Sequence, residues 1–256
     1  VHALCMDGDD LWIGTYTGGV NVLNTKTGIF RVYTTKAGDP TTLDRSSSYA
    51  IFKDREARIW VTSMSGVNLY NREEDNFTRI RDLGSWIMDI DQDADGNIWF
   101  SSQGNGLFKY DPDKQEWTNY VHSSAPGALI NDQVNCVLID GNGEMWIGTM
   151  NGLCKYNAKE DQFELIPLDI PSRNICAIIE DQRVLWLTTT KGLVRYTPEE
   201  SCQVFTRSDG LQSEQFLVNA ALKASDGKIY IGSVNGFNAF YPYQIKTNKV
   251  LPPVII

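Results

Sequence analysis

The chain has 256 residues, of which 42% are hydrophobic and 21% charged, a composition typical of a globular protein with a substantial core. Its net charge of −9 at pH 7 repels phosphate backbones and anionic membrane surfaces, so neither nucleic acid nor a membrane surface is an expected partner of this segment. The sequence also lacks a run of roughly 18 to 20 apolar residues, the length that spans a bilayer.

Six short strand-like segments with a common pattern follow one another along the chain. They are LWIGT at 11–15, IWVTS at 59–63, IWFSS at 98–102, MWIGT at 145–149, LWLTT at 185–189 and IYIGS at 229–233. Their aromatic residues are separated by 48, 39, 47, 40 and 44 positions. An internal period of about 40 to 50 residues predicts a propeller or a solenoid.

Each aromatic segment lies within the same series of strands. An apolar strand precedes it and ends in a turn that usually contains Asp, and a Gly six or seven residues after the aromatic begins a third strand. A fourth strand follows in five repeats, as FRVYT, FTRIR, WTNYV, FELIP and VFTR. Because a four-stranded sheet cannot bury both faces alone, we predict an all-β protein, a β-propeller with six visible blades at approximately 1–38, 48–82, 86–121, 134–167, 174–207 and 217–245.

In all but one repeat, the residue about four positions before the turn has a small side chain. The six residues at this position are Ala3, Ala50, Asp89, Cys136, Ala177 and Ala220. Small side chains fit the crowded innermost strand of a propeller, and the repeat aromatics are expected to be framework. Asp89, the polar exception, is predicted to point into a water-filled channel or to contribute to a site.

The two ends of the repeat array suggest an incomplete ring. The last repeat has no obvious fourth strand, and Pro252 and Pro253 make residues 246–256 an expected exit linker. The first repeat begins at its inner strand, without an initiator Met, so we expect a piece of a longer polypeptide. Either six blades close with the help of the tail, or a seventh blade lies outside this segment, and the second alternative is favoured.

The pattern D-x-x-G-x-[LI]-W-[IV]-G-[TS], followed by G-[LV]-x-x-Y-[ND], resembles the two-component regulator propeller repeats of hybrid sensor histidine kinases. The resemblance covers essentially the whole chain, although TS, SS and TT replace Gly-Thr in three repeats and Tyr230 replaces one Trp. It implies a usually seven-bladed propeller in the periplasmic sensor region, with an Ig-like module after LPPVII, one membrane span and a cytoplasmic kinase. It also implies sensing of carbohydrate fragments, and a neighbouring propeller and the Ig-like domain as partners; a homodimer is left open.

Candidate ligand-binding residues lie in the loops expected at one face of the propeller. A sugar site uses an aromatic platform with planar polar partners, which is the chemistry of Arg45, Trp86, Asp89, Asp132, Arg173 and Gln215. The same loops include Tyr16, Gln103 and Asn174. No cofactor-binding motif is present in the sequence, and the two histidines, His2 and His122, are expected to be surface or strand residues.

One acidic loop has a spacing compatible with calcium. Asp91, Asp93 and Asp95 precede Gly96, as oxygen ligands do in a Ca²⁺ loop, but Ser102 stands where an acidic residue is expected, so a structural turn is favoured.

Three functions are compatible with these features. The first is a non-catalytic sensor segment that recognises oligosaccharide and relays the signal to a histidine kinase. The second is a propeller enzyme, a polysaccharide lyase or glycosidase, for which Asp89 with Asp132 is the testable carboxylate pair. The third is a protein-interaction scaffold.

Overall fold

A computed structural model describes residues 1–198 and 202–245, and in these ranges it contains 23 β-strands and two short 3-10 helices at Arg207–Asp209 and Pro242–Gln244. No helix in the described ranges has the length and apolar character needed to cross a membrane. The strands form six antiparallel sheets in chain order, one sheet for each sequence repeat. The predicted all-β propeller with six blades is confirmed.

The strand bounds follow the repeat pattern. Blade 1 comprises β1 (Ala3–Asp7), β2 (Asp10–Gly14), β3 (Val20–Asn24) and β4 (Phe30–Tyr33); blade 2 comprises β5 (Ile51–Lys53), β6 (Ile59–Thr62), β7 (Gly66–Asn71) and β8 (Asn76–Asp82). Blade 3 comprises β9 (Trp86–Gln92), β10 (Ile98–Gln103), β11 (Leu107–Asp111) and β12 (Glu116–Tyr120); blade 4 comprises β13 (Val134–Ile139), β14 (Met145–Thr149), β15 (Gly152–Asn157) and β16 (Gln162–Ile166). Blade 5 comprises β17 (Ile175–Asp181), β18 (Val184–Thr189), β19 (Gly192–Tyr196) and β20 (Gln203–Phe205); blade 6 comprises β21 (Phe216–Lys223), β22 (Ile229–Ser233) and β23 (Gly236–Phe240).

Five blades have four strands, whereas blade 6 has three in the part of the chain that the structure describes. The sequence predicted this difference from the missing fourth apolar segment. The predicted exit linker, residues 246–256, lies outside the described residues.

Each blade packs against the next through the sheet face that carries the repeat aromatic, which we call the forward face; the opposite face is the back face. The repeat aromatics of blades 1 to 5, which are Trp12, Trp60, Trp99, Trp146 and Trp186, are at most 2% exposed. In the first interface, Trp12 packs with Ile59 and Val61 from the back face of blade 2. Burying a Trp of about 200 Å² is worth at most about 5 kcal/mol, so these residues are framework, as predicted.

The turn Asp of three repeats has a structural role that the sequence did not indicate. The indole N–H groups of Trp60, Trp99 and Trp146 donate at 2.8 to 2.9 Å to the carboxylates six residues earlier, in Asp54, Asp93 and Asp140. Each Asp also accepts backbone N–H groups of its own turn. The carboxylate therefore joins the hairpin turn to the buried aromatic of the same blade.

The Gly that follows the aromatic segment is required for two reasons where β3 and β11 begin. Gly19 and Gly106 have φ values of +70° and +75°, in the left-handed region that favours glycine. A Cβ at these positions would lie 1.9 Å from the Tyr33 carbonyl oxygen and 2.1 Å from that of Tyr120. The turn and the close approach of the fourth strand both require glycine.

Candidate functional site

Aromatic side chains from three blades meet at the end of the propeller where the inner strands begin. Tyr49 precedes β5 and stacks on Trp86, the first residue of β9, with ring centroids 5.7 Å apart and planes 16° apart. Tyr16, in the turn after β2, lies edge-on to Tyr49 at 6.5 Å. Tyr16 and Trp86 are 55% and 43% exposed, whereas Tyr49 is 6% exposed. The three rings form a platform that is open to solvent through its two outer members.

The platform continues into a chain of amide side chains. Gln103, at the end of β10, is the register partner of Trp86. Its amide nitrogen donates to the Asn135 side-chain oxygen at 3.4 Å, and Asn135 in turn donates to the side chain of Asn174 at 2.9 Å. Asn135 is buried, while Gln103 and Asn174 are partly exposed. We call the six residues Tyr16, Tyr49, Trp86, Gln103, Asn135 and Asn174 the entrance site.

The entrance site is uncharged near neutral pH. Burial raises the pKa of the Tyr49 hydroxyl, and within the described residues this hydroxyl has no hydrogen-bond partner. The neighbouring His2 ring lies 4.9 Å from Tyr49, and burial together with the N-terminal charge lowers the pKa of His2. Rings beside amides offer apolar faces together with hydrogen-bonding groups, which suits a neutral ligand with apolar faces and hydroxyl edges.

Below the entrance, two carboxylates of β9 connect blade 3 to blade 4. Asp89 accepts the Val137 backbone N–H at 3.1 Å, and Asp91 accepts that of Ile139 at 2.7 Å. Removal from water raises the pKa of Asp89 to about 7 and that of Asp91 to about 6. Both carboxylates line a cavity of about 270 Å³ between the inner strands.

The cavity also contains a contact between blades 3 and 6. Asn219, with φ +54° at an irregularity in β21, donates its amide to the Met88 carbonyl oxygen at 2.6 Å. The cavity walls include Cys136 and Ala177, two of the small residues from which the sequence predicted an innermost strand. Asp89 thus lies beside the axial cavity.

The six predicted ligand-binding residues do not form one site. Trp86 belongs to the entrance site and Asp89 to the cavity below it. Arg45 is exposed in a groove of about 360 Å³ with Arg79 and Arg81, and Arg173 lines another groove of the same size beside β16.

The remaining two candidates are in loops with local contacts. Asp132 accepts the His122 backbone N–H through its carboxylate, while its carbonyl oxygen accepts N–H groups of Gly104 and Gly106. Gln215 is exposed, and its carbonyl oxygen accepts the Val234 N–H. The carboxylates of Asp89 and Asp132 accept hydrogen bonds from backbone N–H groups of different segments, Val137 and His122 respectively.

The three aspartates of the candidate calcium loop have different surroundings in the structure. Asp91 is engaged by Ile139, whereas Asp93 bonds to Asn97 and Trp99 in its own turn, and Asp95 is exposed. No group of three or more His, Cys, Asp or Glu side chains placed to hold a metal occurs among the described residues. Asp91 lies in β9, whereas Asp93 and Asp95 lie in the turn after it, so their carboxylates face different partners. The spacing of the three residues in the sequence does not reveal this difference.

Known proteins resemble this chain in repeat and in fold. Residues 128–151 match the model of the two component regulator propeller family. The curated "Histidine kinase P4" of Formosa agariphila is 24% identical over 96% of this chain and 16% of its own length. This chain therefore spans about a sixth of that relative.

Two solved structures show the same fold. One is the extracellular domain of the putative hybrid two component system BT3049 from B. thetaiotaomicron, with 23% identity, a TM-score of 0.60 and coverage of 94% of this chain and 39% of that one. The other is a catalytically inactive virginiamycin B lyase from Staphylococcus aureus, with 13% identity, a TM-score of 0.68 and coverage of 96% and 85%.

Proposed function

Since the chain is built from two-component regulator propeller repeats, we propose that it is a non-catalytic, ligand-sensing segment of a two-component sensor and that its entrance site binds oligosaccharide. The observation that carries the proposal is the exposed platform of Tyr16 and Trp86 beside the amides of Gln103 and Asn174. A sugar ring has apolar faces that stack on aromatic rings and hydroxyl groups that bond to amides.

The position of the entrance site suits a relay. Its residues come from blades 1 to 5, so one bound chain of sugars would contact several blades and change how firmly they are held together. A ligand shifts a signalling equilibrium only if it binds one state more tightly than the other. The resemblance to sensor extracellular domains supports a periplasmic location, with the kinase across the membrane.

A propeller enzyme is the second candidate, because the virginiamycin B lyase shares the fold. Against it, the carboxylates of Asp89 and Asp132 are both held by backbone N–H groups of different segments. A lyase or glycosidase needs an acid and a base about 5 to 10 Å apart around the scissile bond.

Calorimetric titration with a panel of oligosaccharides, followed by analysis for cleaved products, separates these functions. Trp86→Ala is expected to weaken binding about 5- to 30-fold, because the variant loses one stacking surface worth about 1 to 2 kcal/mol. Tyr243→Ala is the matched control, since Tyr243 is exposed but lies in the 3-10 helix after blade 6. Unchanged affinity in Trp86→Ala would exclude the entrance site as the place where oligosaccharide binds. Formation of cleaved products would favour the enzyme function.

A further inference from the structure

Three arginines line one groove beside the outermost strand of blade 2. The groove has a volume of about 360 Å³, and its walls carry Arg45 from the loop before β5 together with Arg79 and Arg81 from β8. All three side chains are exposed, so a ligand can reach them from solvent. We call this feature the arginine groove. The sequence singled out Arg45 alone, because the other two arginines lie within a strand.

The two carboxylates of the arginine groove form their hydrogen bonds with other groups. Asp44 accepts the Ser63 hydroxyl and the Asn68 amide, both at 2.7 Å. Asp82 accepts the Gly84 N–H at 2.8 Å. Within the described residues, none of the three arginines forms an ion pair with a carboxylate. The lining has three positive and two negative side chains, so the groove is locally positive in a chain whose net charge is −9.

Arg79 is held in place by the loop that precedes blade 2. Its Nε donates to the Thr42 carbonyl oxygen at 2.9 Å. Its Nη2 donates to the carbonyl oxygens of Asp39 and Leu43 at 2.8 and 3.1 Å. Carbonyl oxygens carry no formal charge, so these bonds orient the guanidinium group without neutralising it. Its Nη1 has no hydrogen-bond partner in the part of the chain that the structure describes, and this nitrogen can donate to a ligand.

Arg81 is positioned by an aromatic ring of the next blade. Its guanidinium carbon lies over Trp117 of β12, 5.4 Å from the ring centroid. A cation–π contact of this kind occupies the face of the guanidinium group and leaves its N–H edges free to donate. The register of β8 also shifts between Arg79 and Arg81, where Ile80 has no partner on β7. Such an irregularity changes the direction of the side chains beside it.

We propose that the arginine groove binds an oxyanion, which is the carboxylate or sulfate group of a small ligand. Guanidinium groups bind such groups through paired N–H donors, and these charge-assisted hydrogen bonds are stronger than neutral ones. Two of the three guanidinium groups are held in place before the ligand arrives, so binding costs less side-chain freedom. The arginine groove is distinct from the entrance site, and its occupation does not depend on binding of oligosaccharide there.

Titration of ¹⁵N-labelled protein with sodium sulfate, sodium glucuronate and glucose at constant ionic strength tests the assignment. The indole N–H signal of Trp117, assigned with Trp117→Phe, reports on the arginine groove, and that of Trp86 reports on the entrance site. We expect the Trp117 signal to shift with saturation on addition of sulfate or glucuronate and to stay in place with glucose. Sulfate is a free ion and glucuronate carries its carboxylate on a sugar, so the anion that binds more tightly identifies the source of the oxyanion.

Charge-removing variants locate the binding. Arg81→Gln and Arg45→Gln should each weaken the affinity for the tighter anion at least about fivefold, because a charge and its paired donors are lost. Affinity in the variants is measured from the backbone N–H signals of Gly66 and Val67, which line the groove. Arg207→Gln is the matched control, since this exposed residue in the 3-10 helix after blade 5 carries the same charge outside the groove. Its affinity should equal that of the parent protein, and circular dichroism checks that each variant is folded.

Three results would overturn the proposal. The first is a Trp117 signal that shows no saturable shift with either anion. The second is an affinity in Arg81→Gln equal to that of the parent protein, or a loss in Arg207→Gln as large as that in Arg81→Gln, which would mean that overall charge alone attracts the anion. The third is an equal shift with glucose, which would mean that the oxyanion is not the group recognised.

Discussion

Replacing Asp89 by Asn is predicted to change how the stability of the propeller depends on pH. Because burial raises the pKa of Asp89 from 3.8 to about 7, the folded state keeps a proton that the unfolded state has already lost at pH 5. The stabilisation from this proton is complete below the unfolded pKa and disappears as the pH rises through the folded pKa.

The size of the effect follows from the pKa difference. About 3 units of difference at about 1.4 kcal/mol each correspond to about 4 kcal/mol in total. About 3 kcal/mol of this falls between pH 5 and pH 8, since the remainder is lost below pH 5. Asn can still accept the Val137 N–H and has no charge to bury. Between pH 5 and pH 8, the free energy of unfolding of Asp89→Asn should therefore fall by about 3 kcal/mol less than that of the parent protein.

Urea unfolding followed by circular dichroism at pH 5, 6.5 and 8 gives the free energies of unfolding. Asp91 continues to titrate in the variant, and His2, whose lowered pKa acts in the opposite sense, contributes equally to both proteins. Asp95→Asn, on an exposed turn residue, is the matched control. A parent protein whose stability does not fall between pH 5 and pH 8, or an Asp89→Asn slope equal to that of the parent, would refute the reasoning.

Three further predictions concern the framework and are tested by urea unfolding. Asp54→Ala should cost about 3 kcal/mol, because it removes the acceptor for the buried Trp60 indole and for Arg58; a loss below about 1 kcal/mol would contradict this role. Tyr120→Phe should cost about 1 kcal/mol. Hydrogen bonds from Tyr156 and Tyr120 lower the pKa of Asp161, so the substitution should also raise that pKa, and the variant should lose less stability on acidification below about pH 4. An Asp161 carboxyl titration that is unshifted by NMR would count against this contact. Gly19→Ala should reduce the free energy of unfolding by more than about 2 kcal/mol, since its Cβ would lie 1.9 Å from the Tyr33 carbonyl oxygen. Gly8→Ala, at a positive φ but with no atom within 4 Å, should reduce it by about 1 kcal/mol. Equal losses would exclude the close approach.

The sheets could be predicted from the sequence because every strand recurs at the same place in a repeat. The aromatic, the Gly after it and the fourth strand gave the order of strands within a blade, and the structure has that order. Blade 6 has three strands in the described part of the chain, and the sequence predicted this from the absence of one recurring segment.

The entrance site was only partly predictable. Tyr16, Trp86, Gln103 and Asn174 were within the loops expected at this face, but Tyr49 and Asn135 were not singled out. Tyr49 follows a run of three serines with no counterpart in other repeats, and Asn135 is the second residue of a buried strand. The distance of a loop residue from the axis depends on the three-dimensional course of the loop, which is why Arg45 and Arg173 lie in outer grooves.

The indole N–H signals of the tryptophans test the proposed ligand site most directly. On titration of ¹⁵N-labelled protein with an oligosaccharide that binds by calorimetry, the Trp86 indole signal should shift progressively with saturation. The signals of Trp60, Trp99 and Trp146, which are buried and bonded to aspartates, should stay in place. Binding that leaves the Trp86 signal unmoved would contradict recognition at the entrance site.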